Sequence, residues 1–170
     1  GDSVTDAFTI TVTESSSSTT DTMTVTITVA GADDTSVWAG TTTGSLTEDA
    51  STTTASAALT ITDADGDDTP TITDVSSTAG ANGYGHFVMA SGTWTYTISS
   101  SATDALDAGD SVTDTYAFAA SDSTTQTVTV TISGADDSVD AGSDGTGSVT
   151  EGASTTTATG SVSASDVDGD

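Results

Sequence analysis

Asp63, Asp65, Asp67 and Asp68 crowd a six-residue stretch, and Asp166, Asp168 and Asp170 repeat the same alternation 103 positions later. Short carboxylates on a loop suit hard divalent cations, which take six to eight oxygen ligands. Gly66 lets the main chain curl so that several carboxylates face one point, and like charges this close are destabilising unless a cation neutralises them. The loop is not an EF-hand, because its sixth position is Asp68 and no helical pattern flanks it, and there is no Gly-Gly-x-Gly-x-Asp nonapeptide. A second cluster is the adjacent pair Asp33-Asp34, repeated as Asp136-Asp137. The competing readings are a solvated Asp-Gly turn for the first cluster and an acidic, solubilising linker for the second.

The elements that must hold these carboxylates are strands. Thr22-Met-Thr-Val-Thr-Ile-Thr-Val29 alternates strictly, and so do residues 127–132, 93–98 and 58–62. Period two with β-branched and aromatic residues marks half-buried strands, and no segment has a convincing 3.6-residue apolar period. The fold class is all-β. The pattern argues against the disorder that a net charge of −26 with 5 % aromatic residues would otherwise suggest.

Landmarks recur at a fixed offset. GADD stands at 31–34 and 134–137, EDASTTTA at 48–55 matches EGASTTTA at 151–158, and DADGD at 63–67 matches DVDGD at 166–170. GDSVTD at 1–6 returns at 109–114, a larger spacing because the Ser/Thr-rich loop after Glu14 is longer in the first copy. This is a tandem duplication with a period near 103 residues. Residues 1–34 read as the C-terminal part of one repeat, 35–137 as a complete repeat, and 138–170 as the N-terminal part of the next, so a window cut from a longer array is expected. The rival is a permuted subunit that donates strands to its neighbours, against which the two end pieces lack a counterpart of roughly 68–103.

A repeat of this length suits a sandwich domain rather than a solenoid turn. Strands are expected near 44–48, 55–62, 70–74, 84–90, 92–98, 112–120 and 124–132. The expected core comprises Leu46, Leu59, Ile61, Ile72, Phe87, Met89, Trp94, Tyr96, Ile98, Leu106, Val112, Tyr116, Phe118, Val128, Val130 and Ile132.

In order along the chain, Leu59-Thr-Ile-Thr-Asp-Ala-Asp-Gly-Asp67, Gly83-Tyr-Gly-His-Phe87, Gly92-Thr-Trp-Thr-Tyr96, Gly109-Asp-Ser-Val-Thr-Asp114, Gln126-Thr-Val-Thr-Val130 and Gly134-Ala-Asp-Asp137 resemble the VCBS-type repeat. That family groups with cadherin-like and bacterial Ig-like domains and occurs in arrays of giant bacterial surface adhesins. The resemblance implies an Ig-like sandwich, a place at the bacterial cell surface, Ca2+ at domain junctions, and a role as spacer or adhesion module in attachment or biofilm. Cadherin-like domains combine a linker Asp pair, a Glu from an early strand and an Asp-x-Asp loop around junctional calcium. Carried over, this implicates Asp33, Asp34, Glu48, Asp63, Asp65, Asp67, Asp136, Asp137, Glu151, Asp166 and Asp168 as metal ligands. Which loop meets which linker stays open in the sequence. The implied partners are neighbouring repeats of the same chain and other fibre chains, with a glycan or cell-surface ligand as the alternative function.

Composition removes other classes. With no Lys or Arg there is no counterion-releasing surface for nucleic acid, no basic patch for anionic lipid, no Schiff-base lysine and no lysine isopeptide crosslink. Without Cys there are no disulfides or thiolate sites. No apolar run approaches the ~20 residues of a membrane span. The single histidine, His86, has no Cys partner, and no Gly-x-Ser-x-Gly elbow accompanies the 67 Ser and Thr residues, so an enzyme is not expected. Ser15–Thr20 is a candidate O-glycosylation stretch, while Asn82 forms no sequon.

Overall fold

The computed structural model describes residues 2–65, 68–154 and 156–169, and its regular structure is almost entirely β. It divides into two units, Gly1–Ser36 with Asp63–Thr69, and Val37–Thr62 with Pro70–Asp170.

The second unit is a two-layer sandwich. One layer holds β4 (Thr43–Thr47), β10 (Thr125–Ser133) and β9 (Ser111–Ala119), in that order. The other holds β3 (Val37–Gly40), β5 (Thr54–Thr62), β8 (Thr93–Ile98), β7 (Gly85–Ala90) and β6 (Val75–Ala79). Every pairing is antiparallel except β4 with β10, where Leu46 lies beside Ile132. A short helix, α1 (Ser100–Thr103), links β8 to β9.

Alternation decides which side chains enter the layer between the sheets. From one sheet come Leu46, Phe118, Val128, Val130 and Ile132, and from the other Leu59, Phe87, Met89, Trp94 and Tyr96, all buried in one cluster. Phe87 is the hub of the aromatic packing, with ring centroids 4.6 Å from Tyr96 and 6.1 Å from Phe118. The alternate threonines of β5 and β8 mostly face water, where a β-branched polar side chain keeps strand propensity. Every expected core residue is buried or packs against this cluster except Ile61, which is half-buried outside it.

Two elements differ from expectation. Residues 70–74 form no strand: Ile72 makes one isolated bridge to Ala120, and the strand proper is β6 at 75–79. Pro70 lacks an N–H and the Thr71 N–H is taken by Ser121 Oγ at 3.0 Å, so the pairing stops at the two main-chain bonds of that bridge, Thr73 N–H to the Ala119 carbonyl and Ser121 N–H to the Thr71 carbonyl. The four-residue β3 is too short for alternation to reveal it.

The first unit contains the antiparallel hairpin of β1 (Ser3–Thr13) and β2 (Thr20–Ala30), with Ser3 opposite Ala30 and Thr13 opposite Thr20. Ser18, at φ 57°, turns the connecting loop. Among the described residues no helix is long and apolar enough to cross a membrane.

Candidate metal centres

Each unit gathers carboxylates by the same local device. In the first, the Asp65 N–H donates to Asp63 Oδ1 at 2.9 Å, and the Asp34 N–H donates to Asp65 Oδ2 at 2.6 Å. In the second, the Asp168 N–H donates to Asp166 Oδ1 at 3.0 Å, and the Asp137 N–H donates to Asp168 Oδ2 at 2.7 Å. The first carboxylate of the Asp-x-Asp loop thus fixes the main chain of the second, whose own carboxylate pins the linker. This answers what the sequence left open: each linker meets the Asp-x-Asp loop that follows it by 31 residues.

In the first unit, carboxylate oxygens of Asp33, Asp65 and Asp68 lie within 4.8 Å of one another. Oxygens sharing a calcium at about 2.3–2.6 Å are separated by less than about 5 Å, so the triad has the spacing to share one ion. Asp68 also closes the turn, its N–H donating to the Asp65 carbonyl at 3.1 Å. Asp67 lies outside the described residues.

The second unit adds a buried carboxylate. Glu48 leaves β4, and its N–H donates to the Ser133 carbonyl at 3.0 Å at the end of β10. Its Oε1 accepts from the Ala135 N–H at 3.0 Å. The side chain is only 3 % exposed, and Oε2 is buried with no hydrogen-bond partner. Asp166 Oδ2 and Asp168 Oδ1 are in the same condition. Burying a carboxylate oxygen unpaired is costly, and no lysine or arginine exists anywhere in the chain to pair with it. A bound cation, a proton or a buried water would supply the missing partner.

No family model matches this chain, and no curated protein matches it either.

The electrostatics of the second unit point the same way. Burial raises the Glu48 carboxyl above its usual range, aided by Asp49 and Asp168, against the lowering effect of the Ala135 N–H and Thr103. Asp137 is pushed up to about 6 by loss of solvent, by a hydrogen bond to the Asp49 side chain, and by the charges of Asp49, Asp168 and Asp104. These acids repel one another in the absence of a cation.

Gly134 explains how the linker comes so close. A Cβ there would lie 2.3 Å from the Asp107 carbonyl oxygen and 2.4 Å from that of Leu106, so only glycine lets the strand pass this loop. The Gly134 N–H in turn donates to the Asp110 carbonyl at 3.0 Å.

Of the expected ligands, Asp33, Asp34, Asp63 and Asp65 come together in the first unit. Glu48, Asp137, Asp166 and Asp168 do so in the second. Asp136 is exposed beside its paired neighbour, and Glu151 sits exposed on a turn. Sequence reading passed over Asp49 and Asp104, which act on Asp137. Asp49 has no acidic counterpart in the later copy, where Gly152 follows Glu151, so the repeat gave no signal for it. Asp104 is brought in by the turn after α1, which no periodicity marks.

Proposed function

We propose that this chain is a structural part of an extracellular, calcium-stabilised adhesin or surface fibre, serving as a stiff spacer built from tandem sandwich repeats. The observation that carries this reading is the set of buried, unpartnered oxygens Glu48 Oε2, Asp166 Oδ2 and Asp168 Oδ1. They belong to side chains tied to the linker after β10, whose Ala135 and Asp137 N–H groups donate to Glu48 and Asp168. Glu48, Asp166 and Asp168 would each offer an oxygen to a cation near this linker, with Asp49, Asp104 and Asp137 adding negative charge, whereas Asp33, Asp65 and Asp68 are the described carboxylates already spaced to share one ion. Calcium bound there would neutralise carboxylates that otherwise repel, and so fasten the linker after β10 to the Asp-x-Asp loop. The Asp33, Asp65 and Asp68 triad supports the same role for the first linker.

Millimolar calcium, as found outside cells, matches the ~10⁻⁴–10⁻³ M affinities of extracellular modules. An acidic surface without cationic side chains suits an exposed fibre, because like charge discourages edge-to-edge strand pairing between chains. The resemblance to VCBS-type repeats gives the same direction.

The experiment is calorimetric titration of the metal-free chain with calcium, alongside the Glu48→Gln and Asp168→Asn variants. Saturable binding that weakens in both variants supports the proposal. Absence of calcium binding at millimolar concentration overturns it.

A further inference from the structure

The β1–β2 hairpin presents one face of apolar side chains to water. Phe8 is 50 % exposed, and Val4, Ile10, Ile27 and Val29 are likewise uncovered. The register places Val4 opposite Val29 and Asp6 opposite Ile27 on that face. A two-stranded hairpin is marginally stable by itself in water, and a contiguous apolar patch of this kind marks an interaction surface.

The chain contains the same hairpin a second time, and there the face is covered. Tandem motifs equate Ser3–Thr11 with β9 and Thr22–Ala30 with β10. Phe8 and Ile10 correspond to Tyr116 and Phe118, and Ile27 and Val29 to Val130 and Ile132. Phe118, Val130 and Ile132 are wholly buried, against the layer that supplies Leu59, Phe87 and Trp94.

Asp6 makes the comparison specific. A carboxylate in the middle of an apolar face is expensive to cover unless donors meet it. Its counterpart Asp114 is 0 % exposed. Across the sandwich it accepts from the Tyr96 hydroxyl at 3.1 Å and from the Asn82 N–H at 2.9 Å. Gly80 lies so close that a Cβ would collide with the carboxylate at 2.2 Å. The covering layer is therefore shaped and hydrogen-bonded around this one side chain.

We propose that the apolar face of the β1–β2 hairpin is a docking surface for a sheet layer with the pattern of residues 37–98. Asp6 is its specificity determinant, accepting one hydrogen bond from a tyrosine hydroxyl and one from a main-chain N–H of that layer. A layer lacking the tyrosine is held less tightly, and one with a bulkier residue in place of the Gly80 equivalent is rejected because that side chain collides with the carboxylate. The inference rests on the tandem repeat contained in the proposed function and not on calcium, so the titration and the test below fail independently.

The test compares the full 170-residue chain with the same chain extended before Gly1 by a copy of residues 35–108, both followed by hydrogen exchange. In the extended chain the amides of 4–10 and 25–29 are expected to become as protected as those of 112–118 and 128–132. Asp6→Ala in the extended chain is expected to lower that new protection by about tenfold or more, the scale of lost hydrogen bonds to a buried charged group. Protection at 128–132 should not change. Hairpin amides that exchange rapidly in the extended chain, while 128–132 are protected, overturn the proposal. So does concentration-dependent protection of the hairpin in the unextended chain, which would make a second copy the occupant. Unchanged hairpin protection in Asp6→Ala overturns the role of Asp6.

Discussion

The main-chain N–H of Asp137 donates to Asp168 Oδ2 at 2.7 Å, tying the linker that leaves β10 to a loop 31 residues further on. The Asp34 N–H makes the same contact with Asp65 Oδ2 at 2.6 Å. The two linkers are thus tied down by the same main-chain contact.

Calcium is expected to raise the melting temperature, and EDTA to lower it. One ion bound only to the folded state at ~100 times its dissociation constant adds about 2.7 kcal/mol, or roughly 5–10 °C for a chain of this size. Differential scanning calorimetry checks this, and the shift should shrink in Asp168→Asn. Identical melting with and without EDTA would count against ion binding at either linker.

Stability of the metal-free chain should fall as pH rises from about 4 towards 7. Glu48 and Asp137 hold their protons more tightly folded than unfolded, with Asp137 at about 6. Between the unfolded and folded values the native state binds more protons, and stability decreases with pH there. Saturating calcium competes with those protons and should flatten or invert the slope. Urea denaturation at pH 4.5 and 7, with and without calcium, measures the sign.

Asp114→Ala is expected to cost about 2–3 kcal/mol, because it leaves the buried Tyr96 hydroxyl and the Asn82 N–H without their acceptor. Tyr96→Phe should cost less, about 1 kcal/mol, since Asp114 keeps the Asn82 and Thr115 donors. Denaturant midpoints for the two variants give the order, and a reversed order would refute this account of the pair.

Gly44→Ala is expected to destabilise by about 1–3 kcal/mol through overpacking. The added methyl would meet Trp94 Cη2 at 2.9 Å and Ala55 Cβ at 3.2 Å inside the core. Trp94 is held from its other end by Nε1 donating to the Thr41 carbonyl at 2.7 Å, so the ring cannot swing away freely. Loss of stability with altered tryptophan fluorescence checks this.

Strand identity, and with it the all-β class, was legible along the chain because alternation is a local property. The stretches at 22–29, 93–98 and 127–132 needed no knowledge of their partners to be read as β. The acidic loops were equally plain, since crowding of Asp63, Asp65 and Asp68 is a fact of spacing. Folding decided the rest. Only the parallel pairing of β4 with β10 brings Glu48 to the linker, and only the turn after α1 brings Asp104 towards Asp137. The buried role of Asp114 was hidden for the same reason, because its donors are Tyr96 on the opposite layer and Asn82 in the turn between β6 and β7. Periodicity reports which face a residue occupies, whereas a charge depends on what lies across the gap, and that distance exists only once the sheets have packed.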